Sequence, residues 1–282
     1  MWRVALLLMA VIALNACAPA APPPAIAGPP AAEAAPDPAL AAELERLRAR
    51  FAAETGAARQ PDPAGREQRI ARARAALEAS FYRPAGPELV VAVDRHPEVQ
   101  VLSVLLARPE GGWEVVGESL VSTGASGRRG HFLTPTGVFL HTDAILDYRA
   151  LGKRNALGVR GLGARGMRVW DFGWLTAEKG WREDGETGEI RFLLHATDPD
   201  LLEPRLGRPA SQGCVRIPSG VNRFLDLEGV LDVDHERAAR AGDARFAALL
   251  HPARTPSPLA GRALIVVDSR EAPPGEARDA MR

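Results

Sequence analysis

Cys214 stands in the turn Ser211-Gln212-Gly213-Cys214-Val215-Arg216, and His195 ends an apolar run upstream of it. A thiol and an imidazole are the parts of a nucleophile and its base. The thiolate is the reactive form, the imidazole exchanges a proton near neutral pH, and backbone N–H groups can hold the oxyanion formed when sulfur attacks a carbonyl. Small residues at Ser211 and Gly213 let the chain turn tightly enough to bring such groups together. A free cysteine on its own is most often a small buried hydrophobe, and a lone Cys and His pattern does not transfer between families. The surroundings therefore decide.

Two further segments precede that pair in the chain: Val121-Ser122-Thr123-Gly124, and Leu133-Thr134-Pro135-Thr136-Gly137-Val138-Phe139. Taken in order with Leu193-Leu194-His195 and the Ser-Gln-Gly-Cys turn, they resemble the YkuD-type L,D-transpeptidases over roughly residues 88–268. That family carries a Thr-Gly turn, a Thr-Pro-Thr-Gly-x-Phe strand start, and a histidine followed after a gap by Ser/Thr-His-Gly-Cys. The chain departs at Gln212, which replaces the histidine of His-Gly-Cys; an amide can hydrogen-bond but cannot exchange a proton near neutral pH.

The resemblance implies a mainly β, YkuD-like sandwich or open barrel and a cysteine acyl-transferase acting on peptidoglycan stem peptides, with no metal or other cofactor. Cys214 would attack the carbonyl of the third residue, expel D-alanine and hold a thioester. His195 would move the proton, its other nitrogen oriented by a backbone carbonyl such as that of Ala196. Gly213 and Cys214 amides would form the oxyanion hole, Ser211 and Gln212 would support the turn, and Arg216 would attract a substrate carboxylate. The acceptor stays open: a second stem peptide, a lysine of an envelope protein, or water, which would make the protein an L,D-carboxypeptidase or amidase. A non-catalytic wall-binding anchor is a reading of a different class. Papain-like and NlpC/P60-type peptidases place Cys before His, the reverse of the order here.

Met1-Trp2-Arg3 followed by a short apolar stretch reads as a secretory signal rather than a bilayer-spanning helix. Leu14-Asn15-Ala16-Cys17 has the form of a bacterial lipobox, so residues 1–17 are expected to be a lipoprotein signal with lipidation at Cys17. Ala18 after that cysteine resembles lipoproteins of the outer membrane. The expected setting is periplasm-facing and lipid-anchored. The chain holds 2 cysteines, so the mature protein would keep one free thiol in an oxidising compartment, which points to its use.

The 35 basic and 35 acidic residues cancel, leaving no electrostatic case for nucleic acid, and 46% hydrophobic content suffices for a core. Residues 18–37 are nearly all Ala and Pro and read as an extended tether. Asp37-Pro38 starts a helix with Leu40, Leu44, Leu47 and Phe51 on one face, and a second runs from about Gly65 to Phe81, giving a helical segment over 38–84. It could pack on the catalytic domain, pair with another protein or act as a spacer.

From Leu89 the pattern turns to short β-branched runs: 89–93, 99–105, 113–121, 138–140, 168–170, 190–194 and 264–267. A helix is expected at Ser219 and another from His235 to Leu250, and a disordered tail over 269–282. Gly158 to Gly166 reads as a loop and a candidate flap, since no βαβ unit surrounds its glycines. Trp170, Trp174 and Trp181 are candidates for groove walls or core. His96, His131, His141 and His251 show no metal-ligand spacing, and Thr134, Pro135 and Gly137 read as turn formers.

Overall fold

The computed structural model describes residues 37–56 and 60–271. The expectations for the signal with Cys17, for the tether up to residue 36, and for the tail beyond Glu271 lie outside the described residues.

The β-branched runs form two open mixed sheets. The first holds β1 (Glu88–Asp94), β2 (Val101–Ala107), β3 (Glu114–Leu120), β4 (Gly137–Leu140) and β9 (Ala263–Val267), in the order β3-β2-β1-β9-β4. Strand β1 pairs antiparallel with β2 and parallel with β9. The second sheet runs β5 (Tyr148–Arg149), β6 (Arg168–Glu178), β7 (Thr187–Ala196), β8 (Val215–Ile217), with β7 and β8 parallel. Strands β1 and β2 are apolar at almost every position because both faces of their sheet are covered.

Helices supply much of that cover. On one face, Leu44, Leu47 and Phe51 of α1 (Pro38–Thr55) join Val91, Val104, Trp170 and Phe224 in the main core. On the other, Ala73 and Leu77 of α2 (Arg66–Ala79) pack on Val90, Ala92 and Leu105. Both helices thus belong to the body that begins at Pro38, and neither is a spacer. The fit of α1 is close: a Cβ on Gly117 would lie 2.1 Å from the Phe51 ring, and one on Gly220 would lie 2.1 Å from the Glu54 carbonyl. The Phe51 ring meets Phe224 edge-on at 5.1 Å. Helix α2 is tied to β3 through Glu118, a buried carboxylate that accepts from Arg66 at 2.6 Å and Arg69 at 3.0 Å.

The helix α3 (Ser219–Leu227) begins where expected. The alanine-rich stretch after it forms two helices rather than one, α4 (Val233–Arg240) and α5 (Ala244–Leu249). The break comes at Gly242, with φ 98°, and at Asp243, whose carboxylate accepts the Arg245 amide at 2.9 Å to start α5. Helices hold about as many of the described residues as strands do, more than the sequence led us to expect, and neither sheet closes into a barrel. Residues 269–271, read as tail, form a turn in which Ser269 donates to Asp94 and Glu271 pairs with Arg95.

Candidate active site

Paired residues on neighbouring strands share a face of a sheet. In the second sheet Trp170, Phe192, Leu194, Val215 and Ile217 are buried in the main core. The alternate positions therefore face outward. They are Tyr148 on β5, Asp171 and Trp174 on β6, Arg191 and His195 on β7, and Arg216 on β8. The register joins them as Tyr148↔Val169↔His195↔Arg216 and as Trp174↔Arg191. One step before Val215, Cys214 falls beside Leu193 on that same outer face, and its sulfur receives the Leu193 amide.

The thiol sits at the mouth of a braced turn. Ser211 Oγ donates to the Cys214 carbonyl at 2.6 Å and accepts the Gly213 amide at 3.1 Å. Gly213 has φ 130°, a conformation other residues rarely adopt. Its carbonyl accepts from Thr134 Oγ at 2.7 Å, and that buried hydroxyl in turn accepts the Gly124 amide at 2.9 Å. Gln100, with its side chain on Thr123, holds the next segment, and the Thr123 carbonyl accepts the amides of Ala210 and Ser211. Thr134 is therefore a clamp on the cysteine turn as well as a turn former, and the Thr-Gly and Thr-Pro-Thr-Gly segments meet at it. Because the Gly213 amide is already bonded to Ser211, the Cys214 amide is the better placed of the two expected oxyanion donors. The Gln212 side chain is exposed, while its carbonyl accepts the Phe132 amide at 3.4 Å.

His195 is buried, and its Nδ1 lies 2.6 Å from the Ala196 carbonyl. A carbonyl can only accept, so Nδ1 carries the proton and Nε2 the lone pair. Burial, with the charge of Arg216 beside it, brings the His195 pKa down to about 4 against the pull of that carbonyl. Burial pushes the Cys214 thiol up, with Asp171 adding to it, while the Leu193 amide and Arg216 act in the other direction. The resting pair is a neutral thiol and a neutral imidazole. The thiol itself donates to the Arg191 carbonyl at 3.6 Å.

Arg216 makes no ion pair among the described residues; its Nη1 donates to the Ala210 carbonyl at 3.2 Å and its buried Nε has no partner. Burial lowers its pKa and the Cys214 charge opposes that. An unpaired, half-buried cation beside a thiol has the chemistry to receive an anion.

The tryptophans divide. Trp170 is core, Trp174 stands 64% exposed on the outer face, and Trp181 packs edge-on against Phe132 at 5.1 Å beside the cysteine turn. The glycine-rich loop seats Gly163 against Ala196, and its Leu162, with Met167, packs on the small apolar cluster that Cys214 adjoins. His96 and His251 cap local turns by accepting the amides of Glu98 and Ala253. His131 is buried in the turn against Gly180.

His141, Asp147, Asp232 and His235 do converge, with atoms within 4.8 Å of one another, an arrangement their spacing in the sequence did not reveal. Arg168 lies among them, donating to Asp147 at 3.0 Å, to Asp232 at 3.1 Å and to His235 Nδ1 at 2.9 Å. His141 faces the Leu231 carbonyl at 2.8 Å and Asp147 at 2.9 Å, two acceptors, so it carries both ring protons. Burial opposes that charge, and the two carboxylates outweigh it and raise the His141 pKa. His235 accepts at Nδ1 and donates from Nε2 to the carbonyls of Thr142 and Ile145, so it is neutral. Two cations, the Arg168 guanidinium and His141, thus face the carboxylates of Asp147 and Asp232.

Asp171 and Arg191 are site residues that the sequence reading missed. Arg191 donates from Nε to both Asp171 oxygens at 2.8 and 2.9 Å and lies over Trp174, 5.8 Å from the ring centre. The alternation of 187–195 could have placed Arg191 on the face of His195, but the Asp171 pairing depends on the strand register. No protein-family model matches the chain, and no curated protein matches it significantly.

Proposed function

We propose that this protein is a cysteine acyl-transferase of the L,D-transpeptidase kind, acting on peptidoglycan stem peptides. The observation that carries this reading is the shared outer face of the parallel β7 and β8, with Cys214 and a neutral, oriented His195 two positions apart across it. At about 3.3 Å per residue and about 4.8 Å between strands, their Cα atoms are about 8 Å apart, a span that a thiol and an imidazole leaning together can close. The motif order, by which the sequence resembles the YkuD-type proteins, adds to it.

In this mechanism the substrate carboxylate docks on Arg216, which sets the carbonyl of the third residue over the sulfur. His195 Nε2 takes the thiol proton as sulfur attacks, and the Cys214 amide donates to the oxyanion. Collapse breaks the amide bond, His195 returns the proton to the departing amine of D-alanine, and a thioester remains on Cys214. An acceptor amine then attacks the thioester, gives a proton to His195, and releases the thiol. The resting pair is neutral, so charge separates only when substrate excludes water from the site. Gln212 lies outside this proton path, and its replacement of the family histidine is compatible with turnover.

The proposed setting is a lipid-anchored protein facing the periplasm from the outer membrane, with the lipid on Cys17. Labelling with a fatty-acid analogue checks this: the label is expected on the natural protein and absent from Cys17→Ser.

The test of the reaction is intact mass after incubating the full chain with a carbapenem and with disaccharide-tetrapeptide. The expected result is an acyl adduct or loss of D-alanine that vanishes in Cys214→Ala. A folded protein that gives neither would overturn the enzymatic reading and leave a wall-binding anchor. The products identify the acceptor as stem peptide, protein lysine or water.

A further inference from the structure

The first sheet ends in two edges that are treated differently. At β3 the edge is guarded: the strand carries Glu114 and Glu118, and Arg48 of α1 reaches across to donate to the Val115 carbonyl at 3.0 Å. At β4 no such guard stands among the described residues. The strand Gly137-Val138-Phe139-Leu140 holds no charged residue and pairs with β9 alone. The His141 amide donates to the Arg262 carbonyl at 2.8 Å, which makes those two a hydrogen-bonded pair of the antiparallel ladder. Such pairs alternate, so the N–H and C=O groups of Val138 and Leu140 point away from β9, and no described residue takes them up. A bare, uncharged edge is a template for another strand.

Beside that edge lies a cavity of about 390 Å³ between α2 and the sheet. Ala76, Ala79 and Phe81 line it on the helix side, and Val138 and Val266 on the sheet side. Phe81 is 83% exposed, so the apolar lining runs outward past the mouth of the cavity. Arg72 lines it too. Its Nη1 donates to the Glu271 carbonyl at 2.6 Å, its buried Nε has no partner, and no carboxylate of the described residues pairs with it. The two acids of the same wall are taken, Asp268 by Arg95 and Arg270, and Glu271 by Arg95. The charge left over is positive and selects a carboxylate.

We propose that the groove between α2 and β4 is a docking site for an extended segment of a partner protein, added as a strand beside β4, with an apolar side chain in the cavity and an acidic one on Arg72. Main-chain bonds to Val138 and Leu140 supply affinity, while the cavity and Arg72 choose the sequence. An added strand sends alternate side chains to the α2 face, where Val138 and Leu140 already join the cluster of Ala73 and Leu77, so the apolar and acidic residues are two positions apart. The groove belongs to the first sheet, whereas Cys214 and Arg216 stand on the second, and it does not depend on the acyl-transfer reading.

Selection of a displayed library of random decapeptides on the full chain tests the site. The expected outcome is a family of sequences with an apolar residue and an Asp or Glu two positions apart. For the tightest of them, made as a synthetic peptide, Arg72→Gln is expected to raise Kd about tenfold, as loss of one charge-assisted contact does. Ala79→Phe, at an exposed position on the cavity wall, is expected to abolish binding while the melting temperature holds. Methylating alternate backbone amides of the peptide is expected to abolish binding in one frame and spare it in the other, because every second amide faces β4. Arg216→Gln is expected to leave Kd unchanged. No enriched family, a family of basic peptides, tolerance of methylation in both frames, or loss of binding with Arg216→Gln would overturn the site. So would a dimer of the chain that Ala79→Phe dissociates, or peptides that bind only once residues 272–282 are removed, since the groove would then serve a second copy or the chain's own end.

Discussion

The cluster around Arg168 and the patch around Cys214 are built from the same kinds of residue, and both draw on β6. Around Arg168, Asp147 and Asp232 face the guanidinium and His141, and the hydrogen bonds fix the proton content of both imidazoles. Around Cys214 the arrangement is open. His195 commits one nitrogen and keeps the other, Arg216 has no carboxylate among the described residues, and the sulfur has the Leu193 amide and a long contact to a carbonyl. By residue type alone, the first cluster is the richer in acids and bases. What separates them is charge pairing: around Arg168 each charge faces an opposite one, although Arg168 Nη1 and Asp232 Oδ2 make no hydrogen bond, while an unpaired charge next to a nucleophile has something left to offer a substrate.

The contrast can be broken most directly at the two buried basic groups. His195→Gln keeps a polar side chain but no proton carrier, and acylation of Cys214 is expected to slow about 10²–10⁴-fold while the melting temperature holds. Arg168→Met is expected to do the opposite, lowering stability by about 3–5 kcal/mol in chemical denaturation because Asp147 and Asp232 lose their counter-charge. If Arg168→Met melted like the parent, or His195→Gln acylated like it, the two regions would not differ as argued. Arg216→Gln sharpens the comparison: with no carboxylate to strand, stability should stay within about 1 kcal/mol, while KM for the acyl donor rises about tenfold.

Two pH profiles give the smallest effects. Acylation is expected to be level over about pH 5–8 and to fall as His195 takes a proton near its value of about 4. A limb centred near pH 6.5 would show that His195 is not the buried base described. Stability follows His141, whose folded pKa is raised. Its contribution is complete below its unfolded value of 6.5 and is lost as pH climbs through the folded one, by at most about 1.4 kcal/mol per pH unit. Of the groups facing it, Asp147 has its pKa lowered and stays ionised, Arg168 has its pKa raised and stays charged, and His235 is already neutral over that alkaline interval. His141→Gln is expected to remove the alkaline decline, read from denaturation midpoints between about pH 6.5 and 9.

The sequence made the first sheet legible because Leu89 to Val93 and Leu264 to Val267 are unbroken apolar runs. It hid β5 and β8, since Tyr148–Arg149 and Val215–Ile217 are too short to show a period. Only the start of β6 was read, because Asp171, Gly173 and a bulge interrupt its pattern. The apolar face of α1 was plain from Leu44, Leu47 and Phe51, but periodicity does not say what a face packs against. Cys214, His195 and Arg216 were found because motif order keeps them near one another along the chain. Arg168, Asp147, Asp232 and His235 look like surface charges in one dimension, and Asp171 meets Arg191 only through strand register.

The seating of α1 has a mechanical consequence. Tension on the chain ahead of Pro38 enters the body through this helix, whose Phe51 is wedged against Gly117 and Phe224. Peeling it away means opening the main core and stripping Arg46 from Glu228. The sheet that carries Cys214 and the start of α1 therefore bear load as one piece, and a tug on the N-terminal side meets the strength of the whole fold.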